Sequence, residues 1–171
     1  MTVAALITSD ASPTDPSTLG RLVDAAWSGG AQPILIAGPA ADGALPPSAR
    51  ATEAVDAAGA LADAAGEVRA TTGLLLLPLS HAGVDPETIT TLIATHGREP
   101  RRQLIAAHDA VAGPVRLLPA GDAGEPALLV ECGDGGAITP SDGRARLPYL
   151  APPADHDAVD PWEQRGGGSG A

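Results

Sequence analysis

The sequence predicts an α/β three-layer sandwich, on three observations. Residues 3–7, 33–37 and 74–77 are short runs that are apolar throughout, as strands buried on both faces are. Amphipathic segments with helical spacing lie between such runs. The first strand–helix–strand unit, residues 3–37, has the length of a parallel pair joined by a crossover helix. Helices alternating with buried strands pack on both faces of a mostly parallel sheet.

Each element follows from local chemistry. Residues 3–7 (Val-Ala-Ala-Leu-Ile) form the first strand, and a turn-rich loop follows over 9–15. Asp15 is an N-cap with Pro16 at the first helical position, where its missing N–H costs nothing. Leu19, Leu22, Val23 and Ala26 share one helical face, and Gly29-Gly30 stops the helix. Residues 33–37 are the second strand and 38–50 a Pro/Gly loop. An alanine-rich helix, interrupted by Gly59, is expected from Ala51 to about Ala65. Leu74-Leu75-Leu76-Leu77 is the most apolar strand and is expected at the centre. Asp85-Pro86-Glu87 repeats the cap-plus-proline start; Ile89, Leu92, Ile93 and His96 share a face, and Gly97 is expected to end that helix. Residues 103–107 and 115–118 read as short strands, 125–131 as a helix or strand, and 146–150 as a last strand. A single domain is expected over 1–164, with a flexible Gly-rich tail over 165–171. No internal repeat is apparent.

Composition excludes several functions. The chain has 171 residues and 16.9 kDa, enough for one domain with a sizeable core. Hydrophobic residues make up 44 %, which is incompatible with wholesale disorder, while 21 Gly and 17 Pro require frequent loops. Aromatics are 2 % and Phe is absent, so stacking platforms for bases or sugars are almost excluded. All ten basic residues are Arg, and 21 acidic residues bring the net charge to −11. Such a surface repels nucleic acid and anionic membranes. The lone Cys132 makes no internal disulfide or cysteine-rich zinc site, which fits a cytoplasmic protein. Neither a signal peptide nor an apolar run long enough to span a bilayer is visible.

Several segments, in order, resemble the molybdenum-cofactor nucleotidyltransferase group. Leu6-Ile7-Thr8-Ser9 stands where that family has a Leu-Ala-Ala-Gly strand end, and residues 18–26 resemble its first helix. Residues 74–89 (Leu-Leu-Leu-Leu-Pro-Leu-Ser-His-Ala-Gly-Val-Asp-Pro-Glu-Thr-Ile) match its aliphatic run, Asp-His/Gln/Met-Pro element and Pro-Glu-Thr helix start. Gly113-Pro114-Val115 is similar to its Gly-His-Pro-Val, and residues 133–137 to its Gly-Asp-x-Gly-Ala. Asp157-Ala158-Val159-Asp160-Pro161 resembles its closing acidic element. The resemblance extends to about residue 164. It implies a Rossmann-like, nucleotidyltransferase-type sheet, with a cleft lined by Thr8, Ser9, Ser80, His81 and Gly113.

The departures from the family pattern concern chemistry. Nucleotidyl transfer loads negative charge onto an α-phosphate, so it needs a divalent metal and cationic or N–H donors. The family supplies a Gly-rich loop with Ser, Arg and Lys after the first strand. Here residues 8–16 (Thr-Ser-Asp-Ala-Ser-Pro-Thr-Asp-Pro) hold no Gly, Arg or Lys, and the loop is shorter. Asp10 and Asp15 would repel a triphosphate. Ser80 occupies the place of the metal-binding Asp, and a serine is a poor replacement for a Mg²⁺ carboxylate. The Gly-x-x-x-Ser-Leu element is reduced to Gly59-Ala60-Leu61, and Gly113-Pro114 lacks the family His.

Other candidates have plainer readings. His96 lies on an apolar helix face and reads as a satisfied, half-buried histidine, not a ligand. His108 and Asp109 read as a solvated polar turn, and Arg101-Arg102 as a solvated loop. His156 lies in a solvated acidic loop; Asp157 and Asp160 are weak metal candidates, and Asp160-Pro161 also serves as a turn. Ser9, Ser12 and Ser80 lack the elbow of a serine hydrolase. Cys132 reads as a small buried residue with nothing to activate it. The expectation is a nucleotidyltransferase-like protein that no longer catalyses and serves as a partner or regulatory subunit, near a molybdenum enzyme or its cofactor assembly. No cofactor is then expected. The alternatives are an active transferase using Arg21, Asp157 and Asp160 with Mg²⁺ and CTP or GTP, and a small-ligand or nucleotide-binding module.

Overall fold

The computed structural model describes residues 1–9, 16–121 and 125–133. Seven strands form one sheet: β1 (Thr2–Thr8), β2 (Ile34–Ala37), β3 (Ala49–Ala51), β4 (Thr71–Pro78), β5 (Leu104–His108), β6 (Val111–Pro119) and β7 (Leu128–Glu131). Their spatial order is β3-β2-β1-β4-β6-β5-β7, which puts the tetraleucine strand β4 at the centre. Strands β1 to β4 are mutually parallel, β6 runs antiparallel to both β4 and β5, and β5 pairs parallel with β7. Six strands therefore share one direction. Three helices cover the sheet: α1 (Pro16–Ser28), α2 (Ala57–Glu67) and α3 (Pro86–Arg98).

The period of two along each strand sorts side chains between two cores. Val3, Ala5, Ile7, Ile34, Ile36, Leu75 and Leu77 pack with Leu19, Leu22, Val23 and Ala26 of α1 and with Ile89 and Leu92 of α3. Ala4, Leu6, Leu35, Ala37, Leu74 and Leu76 turn the other way, onto Ala57, Ala60 and Ala64 of α2. The expected α/β arrangement of three layers is what the chain adopts.

Helix ends follow the expected chemistry. Asp85 accepts a hydrogen bond from Thr88 N–H at 2.7 Å, with Pro86 opening α3. α1 ends in a Schellman arrangement: Ala31 N–H reaches Ala26 O at 3.0 Å, Gly30 N–H reaches Trp27 O at 3.0 Å, and Gly30 has φ +98°. The Asp15 cap, the expected strand at 146–150, the Gly-rich tail and residues His156, Asp157 and Asp160 lie outside the described residues.

Four expectations on element bounds are corrected. The 38–50 loop contains a 3₁₀ turn, Pro39–Asp42, and the edge strand β3. Ala51 belongs to β3, and α2 begins only after Asp56, whose carboxylate accepts from Gly59 N–H at 2.7 Å. Arg50 of β3 pairs with Asp63 and Glu67 of α2 at 3.2 and 2.6 Å, tying helix to edge strand. Gly97 does not stop α3, which runs to Arg98. The strand expected over 115–118 extends over Val111–Pro119 and takes in Gly113 and Pro114; the β5–β6 register shifts between Ile105 and Ala107, an irregularity that accommodates a strand proline.

Candidate functional site

β1 and β4 end together. Thr8 pairs with Pro78 on one side and with Ala37 of β2 on the other. The chain leaves β1 toward β2 and β3, then returns to the opposite side of β1 as β4. Crossovers departing in opposite directions leave a crevice at the carboxyl ends of the strands, where open α/β sheets take ligands.

At the β1 end, Thr8 is buried and Ser9 half-buried. The Ser9 hydroxyl accepts a hydrogen bond from Ala40 N–H at 3.1 Å, fastening β1 to the turn after β2. Gly38, at φ +82°, permits the contact, since a Cβ there would stand 2.5 Å from Ser9 O. At the β4 end, the 3₁₀ turn Leu79–His81 separates its residues: His81 is 1 % exposed, whereas Ser80 faces solvent. The His81 carbonyl accepts from Val84 N–H at 3.3 Å. Thr8, Ser9, Ser80 and His81 thus share the expected edge. Gly113, third residue of the neighbouring β6, is buried within the sheet.

Several of the charges around the sheet are committed elsewhere. The Asp85 carboxylate caps α3. Hydrogen bonds from Arg50 and Thr52 hold the Asp63 carboxyl below its ordinary range. Arg102 bonds Pro126 O at 3.1 Å and lies 3.6 Å from Glu125, so it is tied down within the expected solvated loop. Arg116, which the sequence did not single out, sits opposite Leu76 in the β4–β6 ladder, 2 % exposed and engaged within the fold.

His96 is fully buried, its Nε2 3.2 Å from Thr72 Oγ1, and a Cβ on Gly73 of β4 would stand 3.0 Å from that nitrogen. Burial lowers its pKa below the ordinary 6.5, against a weaker opposing effect of the hydrogen bond to Thr72. It lies deeper than the half-buried position its helix face suggested, and among the described residues its Nδ1 has no hydrogen-bond partner. Burial likewise raises the Cys132 thiol, leaving it unreactive.

One cluster was not visible in the sequence. His108, Asp109 and Glu131 place one ligand atom each within 4.8 Å of one another. Asp109 and Ala110 form a two-residue turn between β5 and β6, at φ +49° and +61°. Their N–H groups donate to the two Glu131 carboxylate oxygens. Glu131 arrives because β7 pairs parallel with β5, placing Ala107 opposite it. Nothing local in the sequence signals that pairing. The cluster lies on the same edge as Thr8 and Pro78, since β4, β5 and β7 point the same way.

A cavity of about 630 Å³ lies at the opposite edge, between α2 and the end of β6. Ala58, Leu61, Ala62, Leu118 and Pro119 are among its lining, which includes no titratable side chain. The candidate site is the crevice at the carboxyl ends of β1 and β4, where open α/β sheets take ligands, and not this cavity. Among the described residues, no helix is long and apolar enough to cross a membrane.

With this geometry in place, the chain resembles solved structures. It matches Rv0371c from Mycobacterium tuberculosis H37Rv, in complex with manganese, with a TM-score of 0.56 at 20 % identity, over 86 % of this chain and 98 % of that one. A second structure of Rv0371c gives 0.52 at 20 % identity, over 85 % and 98 %. The chain shares the fold of Rv0371c. A cytidylyltransferase from Leptospira borgpetersenii gives a TM-score of 0.48 at 13 % identity, over 70 % and 61 %. No family model matches the chain, and no curated protein matches it.

Proposed function

We propose that the chain is a nucleotidyltransferase-like protein, related to the molybdenum-cofactor group, whose transfer site has been dismantled. It serves as a cytoplasmic partner or regulatory subunit in a molybdenum-enzyme or cofactor-assembly system, with no nucleic-acid or membrane partner. The observation that carries the reading is the pair of serines at the crevice. Ser80 offers a neutral hydroxyl at the end of β4, and Ser9 is spent on Ala40 N–H. A divalent ion clamped between protein and triphosphate needs carboxylate oxygens on the protein side. The two serines of the crevice do not fit that ion, and we route no step through it.

A second reading has one observation in its favour: the fold is shared with a protein solved in complex with manganese. In that reading the chain is an active transferase that takes Mg²⁺ and CTP or GTP, with Asp157 and Asp160 as metal ligands. A nucleotide-binding module without chemistry is the intermediate case. Melting temperatures with millimolar CTP, GTP or ATP, each with Mg²⁺ or Mn²⁺, separate these readings. Ligand at 100 times its Kd stabilises by about 2.7 kcal/mol, a shift of several degrees. We expect less than about two degrees. A clear rise with one nucleotide overturns the dismantled-site reading in favour of binding.

A further inference from the structure

We propose that His108, Asp109 and Glu131 form a binding site for a divalent transition-metal ion of the Zn²⁺ class, at the turn between β5 and β6. His108 Nδ1 lies 3.0 Å from the backbone carbonyl of Cys132. A carbonyl only accepts, so Nδ1 carries the proton and Nε2 is the nitrogen with the metal-binding lone pair. That is how proteins orient metal-ligating histidines: the second ring nitrogen is held by a carbonyl or carboxylate outside the ligand set. Cys132 is outside this set, and its carbonyl is fixed by the β7 chain.

The distances suit one ion. Nε2 stands 3.6 Å from Asp109 Oδ2, too long for a hydrogen bond. With metal–ligand bonds of about 2.1 Å, that separation subtends an angle of about 120° at the ion, close to tetrahedral. The Glu131 oxygens accept the N–H groups of Asp109 and Ala110, which holds the carboxylate against the turn with lone pairs to spare. The Asp109 side chain is 89 % exposed and free to close on an ion held by His108. One imidazole and two carboxylates neutralise a dication and leave a coordination position to water. That donor set favours Zn²⁺ over Ca²⁺ or Mg²⁺, which take oxygen ligands.

The test uses the full chain, stripped of metal, titrated with Zn²⁺ against a chromophoric chelator and with Co²⁺ as a spectroscopic probe. Wild type is expected to take up Co²⁺ with visible absorption of a four- or five-coordinate site, and Zn²⁺ is expected to displace it. His108→Gln and Asp109→Asn should each weaken Zn²⁺ binding at least tenfold. Asn is well tolerated at positive φ, so Asp109→Asn keeps the turn and carries the test if His108→Gln fails to fold. His156→Gln should bind like wild type. Absence of Zn²⁺ binding at micromolar concentrations, or equal binding by wild type, His108→Gln and Asp109→Asn, overturns the proposal. Loss of binding in His156→Gln alone also overturns it, by placing the ion on the 155–157 segment.

Discussion

His96 couples the core to pH. Its imidazole lies between α3 and β4, with Nε2 near Thr72 Oγ1 and no surface exposure. In the unfolded chain it takes up a proton near the ordinary 6.5; in the folded chain burial delays that to lower pH. Below pH 6.5 the unfolded state therefore binds more protons, and stability falls as pH is lowered toward the folded-state value. Above pH 6.5 this residue adds no slope. Denaturant midpoints at pH 7.5 and 5.5 should show a loss at the lower pH that is smaller in His96→Met. A wild-type decline no steeper than the variant's would mean that the imidazole protonates without leaving the core. The sequence placed this histidine on the inward face of α3, because it falls in a 3.6-period apolar pattern, but not its full burial, which depends on how closely β4 approaches. Ser80 and His81 were also placed at the right edge, but adjacency in sequence hid that one faces solvent and the other is buried.

At the scale of elements, α1 and α3 are locked by a close approach at Gly29. A Cβ on Gly29 would stand 2.6 Å from Ile89 Cβ, a fully buried side chain with nowhere to go. Gly29→Ala should therefore cost about 2–3 kcal/mol by overpacking, although it improves helix propensity. A guanidinium unfolding curve measures it, and an unchanged midpoint would mean that the two helices separate freely. The elements legible in the sequence are those whose signal is local. Asp85-Pro86 announced α3, the Gly pair announced the end of α1, and Leu74 to Leu77 announced a strand buried on both faces. The missed features depend on distant partners. Ala49-Arg50-Ala51 has no apolar run, and it is a strand because β2 pairs with it and α2 neutralises Arg50. Gly113-Pro114 reads as a break, yet β5 and β6 absorb it through a register shift. The metal cluster depends on the parallel pairing of β5 with β7, which no short window reveals.

The whole molecule is an α/β sheet with a crevice at the carboxyl ends of β1 and β4, where Ser9 and Ser80 stand beside the buried His81. A net charge of −11 with no lysine adds an unfavourable field for any polyphosphate. Restoring one group should not restore chemistry. Ser80→Asp adds a carboxylate at the end of β4, but Mg²⁺ held by one or two carboxylates relies on substrate phosphates to complete its octahedron. On the proposed reading, residues 8–16 would face those phosphates, and their sequence carries Asp10 and Asp15 and no cation. Losing a single electrostatic donor costs about 10²–10³ in rate, and on the proposed reading several are missing together. The most direct measurement is pyrophosphate release from CTP or GTP with Mg²⁺ and molybdopterin, with wild type and Ser80→Asp side by side. We expect no release above background from either protein. Sustained turnover by wild type would contradict the dismantled site outright, and turnover by Ser80→Asp alone would reduce the loss to a single residue.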